Sequence, residues 1–311
     1  MRVFRHLPKQ RCEPIALAIG NFDGMHLGHQ ALLFQLQTVA KTKGLTPAVM
    51  TFEPHPREFF TPLNAPERLS NLREKLEEFQ AFAVEKVFVC AFNKSFAAIS
   101  AKDFLSMLRD KLNVNMVLVG DDFRFGAKRA GSVEDFKQAG FELSALPQVN
   151  LAHETLHARR VSSTRIRSAL ASGNLTEASL MLGRPYSISG KVVHGAKRGR
   201  ELGFPTANVH IKHERPALTG VYAVKLQGLN SVANLGVRPT IAGVPKLLLE
   251  VHVLDFNGDL YGQHVHVEFL YKIRDEMKFE SLDSLKAQIA TDIFTARNFF
   301  STVIASDNEV I

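Results

Sequence analysis

His26 and His29 stand three residues apart in the run Gly20–Asn21–Phe22–Asp23–Gly24–Met25–His26–Leu27–Gly28–His29. An apolar stretch, Ala16 to Ile19, precedes the run and reads as a buried strand. Behind it, Leu32, Leu33, Leu36, Val39 and Ala40 recur at helical spacing from His29 to Lys43. The histidines therefore lie on a strand-to-helix turn. Its glycines let the backbone approach a ligand closely. The helix start beyond offers unpaired N–H groups and a positive dipole end, a ready anion site. Two imidazoles aimed at one phosphate chain would stabilise charge on a leaving pyrophosphate without a covalent intermediate. The plainer alternative is a turn with two surface histidines; the strand before and the helix behind weigh against it.

A second constellation lies far along the chain. Gly190 leads through Gly195, Lys197, Arg198, Gly199 and Arg200 to Gly203–Phe204–Pro205–Thr206–Ala207–Asn208. A glycine-rich basic loop can wrap phosphates with backbone N–H groups. The spacing is not that of a P-loop. Thr206 and Asn208 alternate along an expected strand and so face one side. Their hydroxyl and amide oxygens are hard donors that suit Mg²⁺ shared with nucleotide phosphates. A turn feeding a strand, with Thr and Asn serving the backbone, fits the pattern equally well. Glu250 stands on the polar side of a strand otherwise rich in Leu and Val. A carboxylate there can take the proton of an attacking hydroxyl, or simply face solvent.

Other candidates carry weaker signals. Ser162–Ser163–Thr164–Arg165–Ile166–Arg167 puts hydroxyls and guanidiniums at a helix start. Gly120–Asp121–Asp122–Phe123–Arg124–Phe125–Gly126 follows a strand, where ligands of open parallel sheets bind. Phe52–Glu53–Pro54–His55–Pro56 also follows a strand and doubles as a proline-rich turn. His153 and His157 have metal-like spacing but no third ligand beside them, so a solvated face is expected. Cys12 and Cys90 form no framework, and no disulfide is expected, which suits a reducing cytoplasm.

The elements that must position these groups change character midway. The first half alternates strands (Ala16 to Ile19, Thr46 to Phe52, Lys86 to Phe92, Met116 to Gly120) with helical patterns (Leu69 to Val84, Ser100 to Leu112, a helix capped by Ser132 and Asp135). That alternation predicts a parallel sheet covered on both faces. Helices are expected over Thr164 to Ala171 and Leu175 to Leu182. Gly183–Arg184–Pro185 then breaks the chain. Strand follows strand from Tyr186 to Ile273, predicting a small antiparallel barrel closed by a helix from about Ser281 to Phe300, with a frayed tail. Two domains are expected, 1–182 and 183–311. A length of 311 residues suits two cores better than one.

Composition narrows the function classes. No apolar run approaches a membrane span, and Ile15 to Ile19 is too short for a signal-peptide core. The net charge of +7 fits nucleic acid or phosphate-rich small molecules. Basic residues beside glycines, without interleaved aromatics, favour small molecules over RNA.

The run from Gly20 to Gln30 resembles the bacterial bifunctional riboflavin kinase/FAD synthetases of the nucleotidyltransferase superfamily, and Pro205–Thr206–Ala207–Asn208 resembles the phosphate and metal loop of riboflavin kinases. The resemblance runs from about residue 15 to residue 295. It implies a Rossmann-like nucleotidyltransferase domain followed by a riboflavin kinase barrel. It implies conversion of riboflavin to FMN and of FMN to FAD by ATP and Mg²⁺, in the cytoplasm, without nucleic acid or membrane partners. In the first domain it assigns catalysis to His26 and His29, nucleotide binding to Gly20, Phe22, Asp23, Gly24, Gly28, Ser163, Thr164 and Arg167, and flavin binding to His55, Asp122, Phe123 and Phe125. In the second it makes Glu250 the base. Gly190, Gly195, Lys197, Gly199, Arg200, Gly203 and Pro205 join Thr206 and Asn208 around the nucleotide, the last two as metal ligands. Arg274, Glu276 and Phe279 belong to a loop that closes on flavin.

Two other classes remain distinct. A single-activity nucleotidyltransferase with an RNA-binding barrel has no use for Pro205 to Asn208 with Glu250. A flavin-sensing regulator would tolerate loss of the charged and metal-binding positions, all of which are present.

Overall fold

The computed structural model describes residues 1–6, 8, 13–151, 159–195, 203–212, 215–238 and 246–308. The chain forms two compact units, Met1–Pro66 with Ser70–Ser163, and Glu67–Leu69 with Thr164–Ile311.

The first unit is built on a six-stranded parallel sheet. Its strands are β1 (Arg2–Phe4), β2 (Ile15–Ile19), β3 (Thr46–Glu53), β4 (Lys86–Ala91), β5 (Val114–Gly120) and β6 (Glu142–Leu146). They lie in the order β1-β4-β3-β2-β5-β6. The helices are α1 (Leu27–Lys43), α2 (Pro56–Phe60), α3 (Leu72–Ala81), α4 (Lys94–Ala97), α5 (Ala101–Ser106) and α6 (Val133–Gln138). All five residues of β2 are buried, as a strand covered on both faces requires. Ile15, Leu17 and Ile19 join Phe104 and Phe136 in one core, whereas Ala16 and Ala18 join Leu33, Leu36 and Phe79 in another. Period-2 alternation thus splits the strand between two helix layers.

A short ribbon, β7 (Asn150–Leu151) with β8 (Arg159–Arg160), follows the sheet. Two expectations needed adjustment here. Asn71 caps α3 with Glu74 in a reciprocal capping box, so the helix starts at Leu72 rather than Leu69. The helix expected through Leu112 stays α-helical only to Ser106 and continues as a π-turn over Met107–Lys111.

The second unit begins with α7 (Ser163–Ala171, from Thr164 onward) and α8 (Leu175–Leu182). Gly183 ends α8 at φ 70°, a left-handed cap that glycine adopts without strain. A closed antiparallel barrel follows: β9 (Tyr186–Val193), β10 (Ala207–Ile211), β11 (Gly220–Leu226), β12 (Leu229–Arg238), β13 (Lys246–Val253) and β14 (His264–Arg274), ordered β10-β13-β12-β11-β14-β9. Closure leaves no unpaired edge. The last helix, α9 (Leu282–Asn308), reaches past the expected end, so residues 303–308 continue it instead of fraying. Among the described residues no helix is long and apolar enough to cross a membrane.

Candidate active sites

In the first unit the strand order reverses between β2 and β5. Ligands of open α/β sheets bind outside the strand ends at such a switch point. A cavity of about 230 Å³ opens there, lined by Gly20, His26, Gly28, His29, Gly120, Asp122, Phe123, Arg160 and Ser162 among others. It joins the glycine-histidine turn to the Gly120–Phe123 loop, two segments distant in sequence.

The turn is held from beneath. Phe22 is fully buried at φ 51°, an uncommon conformation for a residue with a Cβ. The buried Asp23 carboxylate accepts the Ser70 N–H at 2.9 Å, and Ser70 Oγ accepts the Gly24 N–H at 3.1 Å. Ser163 donates its hydroxyl to the Asp23 carbonyl at 2.8 Å. Phe22, Asp23 and Gly24 thus shape the turn from behind, while Gly20 and Gly28 face the cavity. Ser70 was not legible as part of the site; its only signal is its place just before the Asn71 cap.

His26 is the N-cap of α1, and its Nδ1 accepts the His29 N–H at 3.3 Å. An accepting Nδ1 leaves the neutral ring's proton on Nε2. The two imidazoles stack with centroids 3.7 Å apart and planes 14° from parallel. Charging both at that distance would be costly. Burial, then His26, then the Lys75 ammonium hold the pKa of His29 well below the usual histidine value. His29 Nδ1 is buried without a hydrogen-bond partner among the described residues. Lys75, on α3, is itself almost wholly buried, with Nζ 3.1 Å from Glu53 Oε1. Nothing in the sequence marks Lys75, because a lysine on an amphipathic helix normally points to water.

Several expected contacts fall elsewhere. Phe125 is 6% exposed, packed on Phe136 at 4.5 Å and Phe104 at 5.3 Å, in the core rather than on the cavity. His55 caps α2, accepting the Arg57 N–H on Nδ1 at 3.1 Å, with Glu58 closing the box. The proline-rich turn that the sequence left open is what the backbone does there. Asp122 pairs with Arg160 at 2.8 Å on the cavity wall. Thr164 and Arg167 group with the second unit, where Arg167 Nε donates to the Glu67 carbonyl at 2.6 Å.

In the barrel, register brings the second constellation together. Asn208 on β10 pairs with Glu250 on β13, and Glu250 pairs across the other side with Asn234 on β12. Directly paired residues share a sheet face with Cβ atoms about 4.5–5.5 Å apart. Leu249 and Val251 are fully buried on the opposite face. Thr206 immediately precedes β10, and His252 Nδ1 lies 2.8 Å from the Pro205 carbonyl, fixing that approach. A Cβ on Gly195 would overlap the Asn208 amide, so only glycine leaves that side chain its place. Gly190 instead lets β9 and β10 approach closely: a Cβ there would meet the His210 carbonyl. Gly203 turns at φ 89°. Lys197, Gly199 and Arg200 lie outside the described residues, as do Cys12, His153 and His157.

Arg274 ends β14 and grips the buried Asp292 of α9, Nε to Oδ1 at 2.9 Å and Nη2 to Oδ2 at 2.8 Å. Its Nη1 donates to the Asp275 carbonyl at 2.9 Å, and its guanidinium lies 5.7 Å over the Phe279 ring. The arginine therefore braces the Asp275–Phe279 segment rather than presenting an open charge. Glu276 packs against Gly236, where a methyl would overlap its carboxylate.

A family model of FAD synthetase matches residues 9–165, and one of riboflavin kinase matches residues 182–300. The bifunctional riboflavin kinase/FMN adenylyltransferase of Escherichia coli strain K12 is 46% identical over 96% of this chain and 97% of its own. That of Haemophilus influenzae is 45% identical over 92% and 94%. The chain belongs to the bifunctional riboflavin kinase/FMN adenylyltransferase family. Membership carries both activities, phosphorylation of riboflavin to FMN and adenylylation of FMN to FAD. A solved structure described as a macrolide-efflux protein from Streptococcus pneumoniae superposes with a TM-score of 0.75, at 33% identity, over 92% of this chain and 94% of that one.

Proposed function

We propose that the two activities occupy the two constellations separately, adenylyl transfer at the cavity of His26 and His29 and phosphoryl transfer at Thr206, Asn208 and Glu250. The observation that carries this reading is the pairing register of Glu250 with Asn208, beside the distinct cavity at the sheet's switch point. The family-model matches support a functional boundary near residue 183, with adenylylation in 1–182 and the kinase in 183–311.

In the kinase, Glu250 takes the proton of riboflavin's terminal hydroxyl as that oxygen bonds to the γ-phosphorus of ATP, and ADP leaves. Gly190, Gly195, Gly203 and Pro205 shape the nucleotide loop, with Lys197, Gly199 and Arg200 supplying it. Thr206 and Asn208 would hold Mg²⁺. The space that Gly195 leaves for the Asn208 amide, and the hard oxygens beside it, fit that ion. The ion would neutralise charge on the ATP phosphates. Arg274 braces the segment carrying Glu276 and Phe279 toward flavin.

In the adenylyltransferase, a phosphate oxygen of FMN bonds to the α-phosphorus of a second ATP, and the bond to the β-phosphate bridge breaks. No proton need move. His26 and His29 donate to the phosphate chain as pyrophosphate leaves, and Gly20 and Gly28 let it come close. Phe22, Asp23, Gly24 and Ser163 hold the turn. Asp122 and Phe123 face the flavin side, and Phe125 packs in the core behind the loop that carries them. Both reactions consume ATP, which supports a cytoplasmic location. His29→Ala tests the reading: FAD formation from FMN should fall by ~10²–10³ while FMN formation stays intact. Equal loss of both activities would refute separate sites.

A further inference from the structure

The Asp275–Phe279 segment joins β14 to α9, and its own backbone does little to hold it. Among the described residues no backbone–backbone hydrogen bond ties 275–279 down. The segment nonetheless lies over the barrel face that carries Glu250. A Cβ on Gly236 would overlap the Glu276 carboxylate. Gly236 stands two residues from Asn234 on β12, on the face that Asn234 shares with its partner Glu250. Side chains must therefore supply the hold. The Lys272–Asp275 pair, at 2.6 Å, contributes little because the Asp275 side chain is 83% exposed.

Arg274 does more. Its Nη1 donates to the Asp275 carbonyl at 2.9 Å, and its guanidinium lies 5.7 Å over the Phe279 ring. One planar group thus touches both ends of the segment. The same group is anchored from the opposite side. Its Nε and Nη2 donate to the two oxygens of Asp292 at 2.9 Å and 2.8 Å, a fork that fixes direction as well as adding strength. Asp292 is 3% exposed, and Gln288, one helical turn earlier on α9, donates to its Oδ1 at 2.9 Å. A carboxylate buried and bonded in this way has one orientation, and it imposes that orientation on the guanidinium.

We propose that Asp292 is a positioning residue for riboflavin phosphorylation: through Arg274 it holds the Asp275–Phe279 segment over the Glu250 face before flavin arrives. Arg274 is then a brace rather than a flavin ligand. This rests on reading the Thr206, Asn208 and Glu250 constellation as the kinase site. A segment ordered in advance spares the flavin the entropy of ordering it. Re-ordering even one backbone residue on binding corresponds to roughly tenfold in affinity. Bound riboflavin and the transition state gain alike, so the contribution belongs in KM and not in kcat.

The test measures steady-state riboflavin phosphorylation and local amide hydrogen exchange on full-length protein. D292N keeps the size of the side chain but removes its charge and one acceptor oxygen. KM for riboflavin should rise roughly tenfold, with kcat, KM for ATP and FMN adenylylation unchanged. Exchange should quicken at 275–279 more than in the barrel strands. F300L, a change to a buried residue of the same unit, should lower stability without moving KM for riboflavin. In an R274M background D292N should add nothing further, because the two residues act as one unit.

R274M/D292N strands neither charge, so it carries the same expectation if D292N fails to fold. Wild-type KM for riboflavin, or unmoved exchange at 275–279, in a folded D292N or R274M/D292N protein would overturn the proposal. So would an equal rise of KM in F300L, or additive effects of R274M and D292N. If instead Glu250→Gln retains wild-type kinase turnover, the reading of the site itself fails, and exchange at 275–279 still reports whether Asp292 holds the segment.

Discussion

Glu250→Gln should abolish most kinase turnover and spare adenylylation of supplied FMN. The register places Glu250 between Asn208 and Asn234 on one barrel face, while Leu249 and Val251 are fully buried on the other. Glutamine keeps nearly the same volume and hydrogen-bonding reach, so the strand should hold and stability should move by only ~0.5 kcal/mol. Its amide cannot accept a proton at neutral pH. General-base catalysis is worth ~10²–10⁴-fold, which corresponds to about 3–5 kcal/mol of transition-state stabilisation. The loss should appear in kcat, with riboflavin and ATP affinities close to wild type, because nothing that binds them is removed. Steady-state phosphorylation of riboflavin, with riboflavin affinity measured separately, checks both halves of that expectation. Wild-type turnover would show Glu250 to be a solvent-facing strand residue and would remove the base from the mechanism. Loss of affinity equal to the loss of rate would mean that Glu250 binds rather than reacts.

Three further outcomes follow from the same geometry. Gly195→Ala places a methyl on the Asn208 amide; kinase kcat should drop roughly 10²-fold, as displacements of about 1 Å do, with FMN adenylylation unchanged. Asp292→Asn weakens the paired hydrogen bonds to Arg274 and should cost about 1.5–3 kcal/mol in chemical denaturation of the barrel; an unchanged midpoint would mean that the Arg274 brace is redundant. A fragment from residue 183 should phosphorylate riboflavin, yet denature more readily than one from residue 164, because α8 buries Leu175, Ala178, Met181 and Leu182 within the same unit as the barrel. Equal stability of the two fragments would show that α8 contributes nothing to that unit.

The architecture was legible because the two periodicities are clean. A short apolar run such as Ala16 to Ile19, bounded by Pro14 and Gly20, reads as a strand covered on both faces, and alternation at Val265, Val267 and Phe269 marks a half-buried barrel wall, all three being buried. Short elements escaped: β1 spans three residues, too few to show a period, and β6 is partly exposed throughout. The histidine turn stood out from glycine spacing and placement, and Glu250 with Asn208 from the family resemblance; the strand register sets the latter two side by side. Side-chain direction was not legible. Phe125 follows Phe123 by two, but the turn after β5 sends it into the core. His55 looked like a ligand and is a helix cap, because a ring nitrogen two residues before a backbone N–H serves either role. Arg274 matched a flavin loop, and its partner Asp292 lies 18 residues on, beyond any local pattern. Lys75 was invisible for a related reason: only the fold shows which lysine of a charged helix points inward.

Complementation between two variants, each lacking one activity, tests most directly whether two separate sites hand FMN from one to the other. Riboflavin, ATP and Mg²⁺ are supplied to His29→Ala protein, to Glu250→Gln protein, and to an equal mixture, and the flavins are separated over time. His29→Ala alone should stop at FMN, and Glu250→Gln alone should leave riboflavin unconverted. The mixture should accumulate FMN and then, after a lag, FAD. A mixture that makes no FAD, although each variant is folded and retains its remaining activity, would contradict the account.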